Sequence, residues 1–266
     1  MNRDCLILGG HGFIGSAIVR AASDFGWAAT AAGRADLEKC ACQHWNLIIN
    51  ANGNSKKYLS AKDPLLDFDL SVRSVAHSLH TFSFDRYLFL SSVDVYADKA
   101  NPSANHEEAA IDPAALSRYG QHKWMAEELV RWNAANWLIV RMAGFVGPGL
   151  RKNSVYDLLK GHPLRVHPDS AYQYQNCDDA ATLLFQLLEL PHRNECFNLA
   201  GDGVISLRDV ASFIPYAQMP GETADLPVEH YEINVDKLKN LLPVPRTIDV
   251  VHRFVENVLT GNISLA

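Results

Sequence analysis

Short apolar runs alternate along this chain with longer stretches of helical spacing, and most of the runs end in glycine, serine or asparagine. Buried strands are expected at 4–8, 27–32, 47–50, 87–90, 137–140 and 196–200. Between them the spacing predicts helices over 16–22, 64–80, 118–132, 155–160 and 177–190, with Ser206 as N-cap of a further helix through Phe213. Met125, Leu129 and Trp132 form the apolar stripe of the 118–132 helix and are expected to face the core. Strand and helix in alternation predict an α/β fold on a doubly wound parallel sheet. No repeat or low-complexity segment interrupts it.

Composition narrows the function classes. The chain has 266 residues, 48% hydrophobic and 20% charged, enough to bury a full core and too apolar for disorder. A formal net charge of -6 argues against a nucleic-acid partner. The first apolar run, Cys5–Leu8, is too short for a signal peptide, and no stretch reaches the ~20 apolar residues that span a bilayer. Five scattered cysteines suit a reducing, cytoplasmic setting. Cys40-Ala41-Cys42 has no second Cys/His cluster to complete a metal site, so no metal is expected.

The first strand runs directly into Gly9-Gly10-His11-Gly12-Phe13-Ile14-Gly15 and then a helix. Strand, glycine turn and helix in that order form the context of a dinucleotide-binding fingerprint. Gly9 allows the tight turn, Gly12 lets the backbone approach a pyrophosphate, and Gly15 lets the helix pack on the sheet. Phe13 and Ile14 fill the turn. The second strand ends at Gly33 and Arg34, where an NAD enzyme usually places an acid for the ribose 2′-hydroxyl. Guanidinium suits a 2′-phosphate, which points to NADP, although Asp36 two residues on could face the adenosine and keeps NAD open. Asn52 and Gly53, at the end of the third strand, would pass beside the cofactor.

A tyrosine and a lysine four apart share one helix face. A nearby ammonium favours the phenolate, so such a pair can give a proton to a carbonyl oxygen or take one from an alcohol. Tyr58/Lys62, Tyr119/Lys123 and Tyr156/Lys160 all have this spacing, and spacing alone does not choose among them.

With Gly9–Gly15, Ser91–Tyr96, Tyr119–Lys123, Arg141–Gly149, Cys177–Ala180 and Phe197–Ala200 in this order, the chain resembles the extended branch of the short-chain dehydrogenase/reductase superfamily. This is the NAD(P)-dependent epimerase/dehydratase family of nucleotide-sugar enzymes. The resemblance implies a Rossmann-type doubly wound parallel sheet with a small C-terminal substrate-binding lobe. Residues 1–150 would form the NADP-binding domain, with 172–200 returning to it and 151–171 and 201–266 forming the lobe. It also selects Tyr119 as acid/base, since the family's catalytic tyrosine follows the serine-bearing strand by some twenty-odd residues. Tyr58 precedes that strand, and Tyr156 follows the next one, which ends at Arg141. Ser92 would be the catalytic hydroxyl, and Lys123 would lower the pKa of Tyr119 and bond the nicotinamide ribose. Strand alternation sends Ser91 and Ser92 to opposite faces. Met142 would border the cofactor.

Three positions depart from the family or bear on the substrate. Gly144 stands where an asparagine is common, and Tyr172 where an arginine often pairs a substrate diphosphate. Arg151, Lys152 and Arg165 are the basic alternatives. Asp94 is a single carboxylate where dehydratases carry an acidic pair. The expected function is an NADP-dependent oxidoreductase or epimerase acting on a keto or hydroxyl group of a sugar-like substrate, possibly a nucleotide sugar. The alternatives are a short-chain reductase of a non-nucleotide small molecule and a non-catalytic NADP-binding regulatory protein. A homodimer through the helices around 65–80 and 118–132 is a further expectation from the resemblance.

Overall fold

The computed structural model describes residues 3–219 and 225–266. The chain divides into two compact units: Met1–Ala97, Glu107–Met142 and Ala181–Asn198 form one, and Asp98–His106, Ala143–Ala180 and Leu199–Ala266 the other.

The first unit begins with β1 (Arg3–Leu8), α1 (Phe13–Ala22), β2 (Trp27–Ala32), α2 (Leu37–Cys40) and β3 (His44–Asn50). It continues through α3 (Lys57–Lys62), α4 (Pro64–Phe68), α5 (Ser74–Thr81), β4 (Ser83–Ser92), α6 (Arg118–Asn133) and β5 (Trp137–Met142). Cys5, Leu6, Ile7, Leu47, Ile48, Ile49, Leu88 and Phe89 are wholly buried, as continuous apolar strands must be when helices cover both faces of a sheet. β1 pairs in parallel with β2 and β3, β3 with β4, and β4 with β5. With β9 (Glu195–Leu199) at the far edge, the strand order β2-β1-β3-β4-β5-β9 places the reversal of winding beside β1, and ligands bind at the carboxyl ends of strands around such a point.

The expected helix over 64–80 is divided. Asp63 caps Leu66 N–H at 3.0 Å with Pro64 in the first turn, and a π turn over Asp69–Arg73 then separates α4 from α5. Wide turns of this kind recur at functional sites. The apolar stripe of α6 also lies opposite to expectation. Met125 is 39% and Trp132 73% exposed, while Tyr119, His122, Lys123, Ala126, Glu127 and Val130 are buried. The helix turns its chemistry inward because Glu127 finds a buried partner in Arg141, at 2.8 Å and 3.0 Å.

The second unit carries β6 (Gly144–Val146), α7 (Ser154–Lys160), β7 (Ala171–Tyr172) and β8 (Tyr174–Asn176). α8 (Cys177–Glu189) leads back to the first unit, which β9 (Glu195–Leu199) re-enters at the sheet edge beside β5. β10 (Ile205–Ser206), α9 (Leu207–Ser212), β11 (His230–Tyr231), α10 (Asp236–Lys239) and α11 (Thr247–Leu259) complete the chain. β7 lies between β10, antiparallel, and β11, parallel, while β6 pairs with β8. Ser206 caps α9 by accepting Asp209 N–H at 3.0 Å.

Candidate active site

The glycine turn is forced by space as well as by torsion. Gly9 has φ 77°, and a Cβ at Gly15 would fall on the Gly9 carbonyl. A Cβ at Gly10 would lie 2.7 Å from the Ala31 methyl, so this glycine, which spacing alone did not single out, keeps the turn against β2. At Gly12 a Cβ would meet only the Gly9 carbonyl, at 3.1 Å, and otherwise enter open space. Gly12 is also the N-cap of α1 without a capping side chain, and Phe13 and Ile14, both half-buried, follow it. Free first-turn amides facing a glycine cradle fit an anionic pyrophosphate.

A cavity of about 420 Å³ opens at the ends of β1, β2 and β3, lined by Gly9, Gly33, Arg34, Asn52, Arg73 and His77 among others. A second, of about 430 Å³, shares Arg34 and Asn52 with the first and adds Gly53, Asn54 and Tyr58. Arg34 is exposed. The Asp36 carboxylate accepts the Gly33 N–H at 2.9 Å and is thereby tied to the backbone of the turn. Asn52 N–H donates to the Asn50 side chain at 3.0 Å.

β4 delivers Ser91 and Ser92 to its carboxyl end, where they take different partners. Ser91 donates to Glu127 on α6 at 2.6 Å, whereas Ser92 donates to Asp94 at 3.0 Å and accepts the Asp94 N–H at 3.2 Å. Ser92 also lies beside the Tyr119 phenol, where it favours the phenolate. The Ser92 hydroxyl proton is thus held by Asp94. Asp94 is buried and paired with Lys57, whose ammonium reaches its two oxygens at 2.8 Å and 2.9 Å.

Tyr119 and Lys123 come from the inner face of α6, which Ser117 caps through the Gly120 N–H at 3.2 Å. The helix start lies hard against the Asp94 segment, because a Cβ at Gly120 would fall on the Asp94 carbonyl. The Tyr119 hydroxyl donates to the Asn54 carbonyl at 3.1 Å. Burial, and then the charges of Asp94 and Asp67, push the phenol above its ordinary value, and the influence that lowers it comes from Ser92 rather than from the expected downward pull of Lys123. Burial also draws Lys123 down to about 8. Its ammonium lies 5.6 Å from the Phe89 ring and 5.9 Å from that of Tyr119, and against Gly53, where a Cβ would come within 3.2 Å of it. Met142 pairs with Ser92 across β4 and β5.

Asn54, Lys57 and Gly120 are therefore site residues that the sequence reading missed. A glycine directly after the candidate tyrosine was the one visible signal, and nothing local marks Lys57. Gly144 and Tyr172 lie in the second unit. A Cβ at Gly144 would meet the Tyr174 ring at 2.8 Å and the Gln173 carbonyl at 2.9 Å. Tyr172 donates to Glu229 at 2.7 Å, so the local partner is a carboxylate.

The NAD dependent epimerase/dehydratase family matches residues 5–200. The chain belongs to this family. Solved structures of family enzymes share its fold over nearly the full length. A UDP-galactose 4-epimerase is 21% identical, with a TM-score of 0.76 over 97% of this chain and 99% of its own. MoeE5 in complex with UDP-glucose and NAD is 17% identical, with a TM-score of 0.83 over 97% and 99%. The dTDP-4-dehydrorhamnose reductase from Bacillus anthracis str. Ames, in complex with NADP, is 14% identical, with a TM-score of 0.80 over 97% and 99%. No curated protein sequence matches the chain. The family is one of NAD(P)-dependent enzymes, and among the described residues no helix is long and apolar enough to cross a membrane.

Proposed function

We propose that this family member is an NADP-dependent oxidoreductase or epimerase that acts on a keto or hydroxyl group of a sugar-like substrate. The observation that carries the reading is the meeting of Ser92, Tyr119 and Lys123 at the carboxyl end of β4, next to the Asn52–Asn54 turn. Bound nicotinamide would supply or accept the hydride. Tyr119 gives the proton to the substrate oxygen in reduction and removes it in oxidation. Ser92 donates to that oxygen once its proton leaves Asp94. Lys123 holds positive charge beside the phenol and bonds the nicotinamide ribose.

Arg34 supports NADP over NAD. It lines the cavity at the end of β2, while Asp36, two residues on, is held by the Gly33 N–H and Asp69, which also lines the cavity, is paired with Arg73. Gly9, Gly12, Phe13, Ile14, Gly15, Asn52, Gly53 and Met142 complete the proposed cofactor contacts. Asp94, Gly144 and Tyr172 are the proposed substrate positions.

A second reading, a reductase of a non-nucleotide small molecule, has its own support. Gly144 leaves no room for an asparagine, and Tyr172 faces Glu229, where a diphosphate would need a cation. A thermal-shift screen of nucleotide sugars and free keto sugars with NADP present separates the two. Stabilisation by any of them supports the nucleotide-sugar substrate, and stabilisation by free keto sugars alone supports the second reading. Exposed Leu65, Phe68, Met125 and Trp132 on α4 and α6 support a homodimer through that face.

A further inference from the structure

Asp67, on α4, is fully buried. Its Oδ1 accepts from the Asn54 amide at 2.7 Å and the Ser71 hydroxyl at 3.3 Å, and its Oδ2 is 2.6 Å from Nδ1 of His122. The backbone carbonyl of the same Asn54 receives the Tyr119 hydroxyl, and His122 directly precedes Lys123 on α6. One carboxylate thus grips both the segment that seats the phenol and the helix that carries the lysine.

Its charge is equally placed. Lys123 is buried, and among the described residues its ammonium makes no hydrogen bond or ion pair. Three carboxylates favour its protonated form, in the order Asp67, Glu127 and Asp94. Glu127 is already paired with Arg141 and Arg131, and Asp94 with Lys57. Asp67 has neither a lysine nor an arginine partner among the described residues. Its remaining neighbours are the Asn54 amide, the Ser71 hydroxyl and the His122 ring. The short bond between Asp67 and His122 holds one proton. On Nδ1 it leaves Asp67 a carboxylate, which suits the two donors on Oδ1, whereas on Oδ2 it would leave Asp67 neutral.

We propose that Asp67, held by His122, is a positioning residue for the acid–base pair: through Asn54 it fixes the seat of the Tyr119 hydroxyl, and its buried charge keeps Lys123 an ammonium. This rests on reading Tyr119 and Lys123 as the acid–base pair, but its tests need neither cofactor nor substrate.

Nitrogen NMR of the full wild-type chain should show His122 protonated at Nδ1. A ring protonated at Nε2 alone, with Nδ1 bare, would require a neutral Asp67 and overturn the proposal. This measurement needs no variant and stands even if a substitution prevents folding. In a side-chain NMR titration, with the signal assigned by Lys123→Arg, wild-type Lys123 should lose its proton near pH 8. Asp67→Asn keeps the shape and removes the charge, and should move that midpoint down by about one unit. An unchanged midpoint in a folded Asp67→Asn contradicts the proposal. If the titrations behave as stated but Tyr119→Phe turns over normally, the acid–base reading fails and the coupling of Asp67 to Lys123 stands.

Discussion

The hydroxyl of Tyr119 and the backbone carbonyl of Asn54 are joined at 3.1 Å, so in the free chain the phenol proton already has an acceptor in the turn after β3. That turn also holds Gly53, whose missing side chain makes room for the Lys123 ammonium. The proposed cofactor site and the proposed acid–base pair therefore share one piece of structure, and loss of a contact in one should be felt in the other.

Arg34→Ala should weaken NADPH binding by about 10-fold to 100-fold, the range of one or two charge-assisted hydrogen bonds, and leave NADH binding nearly unchanged. Fluorescence titration of both nucleotides reads the ratio. Equal losses for the two would remove the basis for an NADP preference.

Lys123 couples pH to binding and to stability with opposite signs. Burial lowers it from 10.5 to about 8, so in that window the unfolded chain keeps a proton that the folded chain has released. Folding stability should therefore rise with pH between about 8 and 10.5 through this group, while NADPH affinity falls as the ammonium is lost. Lys123→Met should flatten both trends, in titrations followed by NADPH fluorescence and by denaturant melts.

Gly120→Ala reverses the usual rule for helices. In an exposed helix the change stabilises by ~1 kcal/mol, but here the new methyl falls on the Asp94 carbonyl. Overpacking of this kind costs about 1–3 kcal/mol. A melting temperature several degrees below wild type is expected in a thermal scan, and a gain would contradict the close approach.

Glu127 is wholly buried; burial alone would raise it, but Arg141 holds it below the ordinary carboxylate value of 4.5. Its contribution is fully present above about 4.5 and is lost as pH falls through the lowered folded value. Glu127→Gln leaves the Arg141 charge uncompensated and should cost about 3–5 kcal/mol at neutral pH. Denaturant melts should show that deficit narrowing as the solution is acidified.

Much of the fold was legible because its strands are continuous apolar runs. Cys5–Leu8, Leu47–Ile49 and Leu88–Leu90 stand out against their surroundings, and the glycines after Leu8 mark where the chain turns. The candidate tyrosine rests on chain order, since Tyr58 precedes the strand bearing Ser91 and Ser92 and Tyr156 follows the strand after it. Contacts between distant segments were not legible. Lys57 reaches Asp94 across 37 residues, and Asn54 meets Tyr119 across 65. The orientation of α6 was misread because its apolar residues suggested an inner face. Pairing of Glu127 with Arg141, which no local pattern shows, turns the opposite face inward.

The central claim is acid–base catalysis by Tyr119 in an NADP-linked reaction. Its most direct test is single-turnover oxidation of NADPH against a panel of keto sugars, free and nucleotide-linked, by wild type and Tyr119→Phe. Wild type should oxidise NADPH with at least one of them. The variant should be slower by about 10²-fold to 10⁴-fold, with NADPH affinity within about 2-fold of wild type. Equal rates in the two proteins, or no oxidation by wild type with any of the panel, would contradict the account.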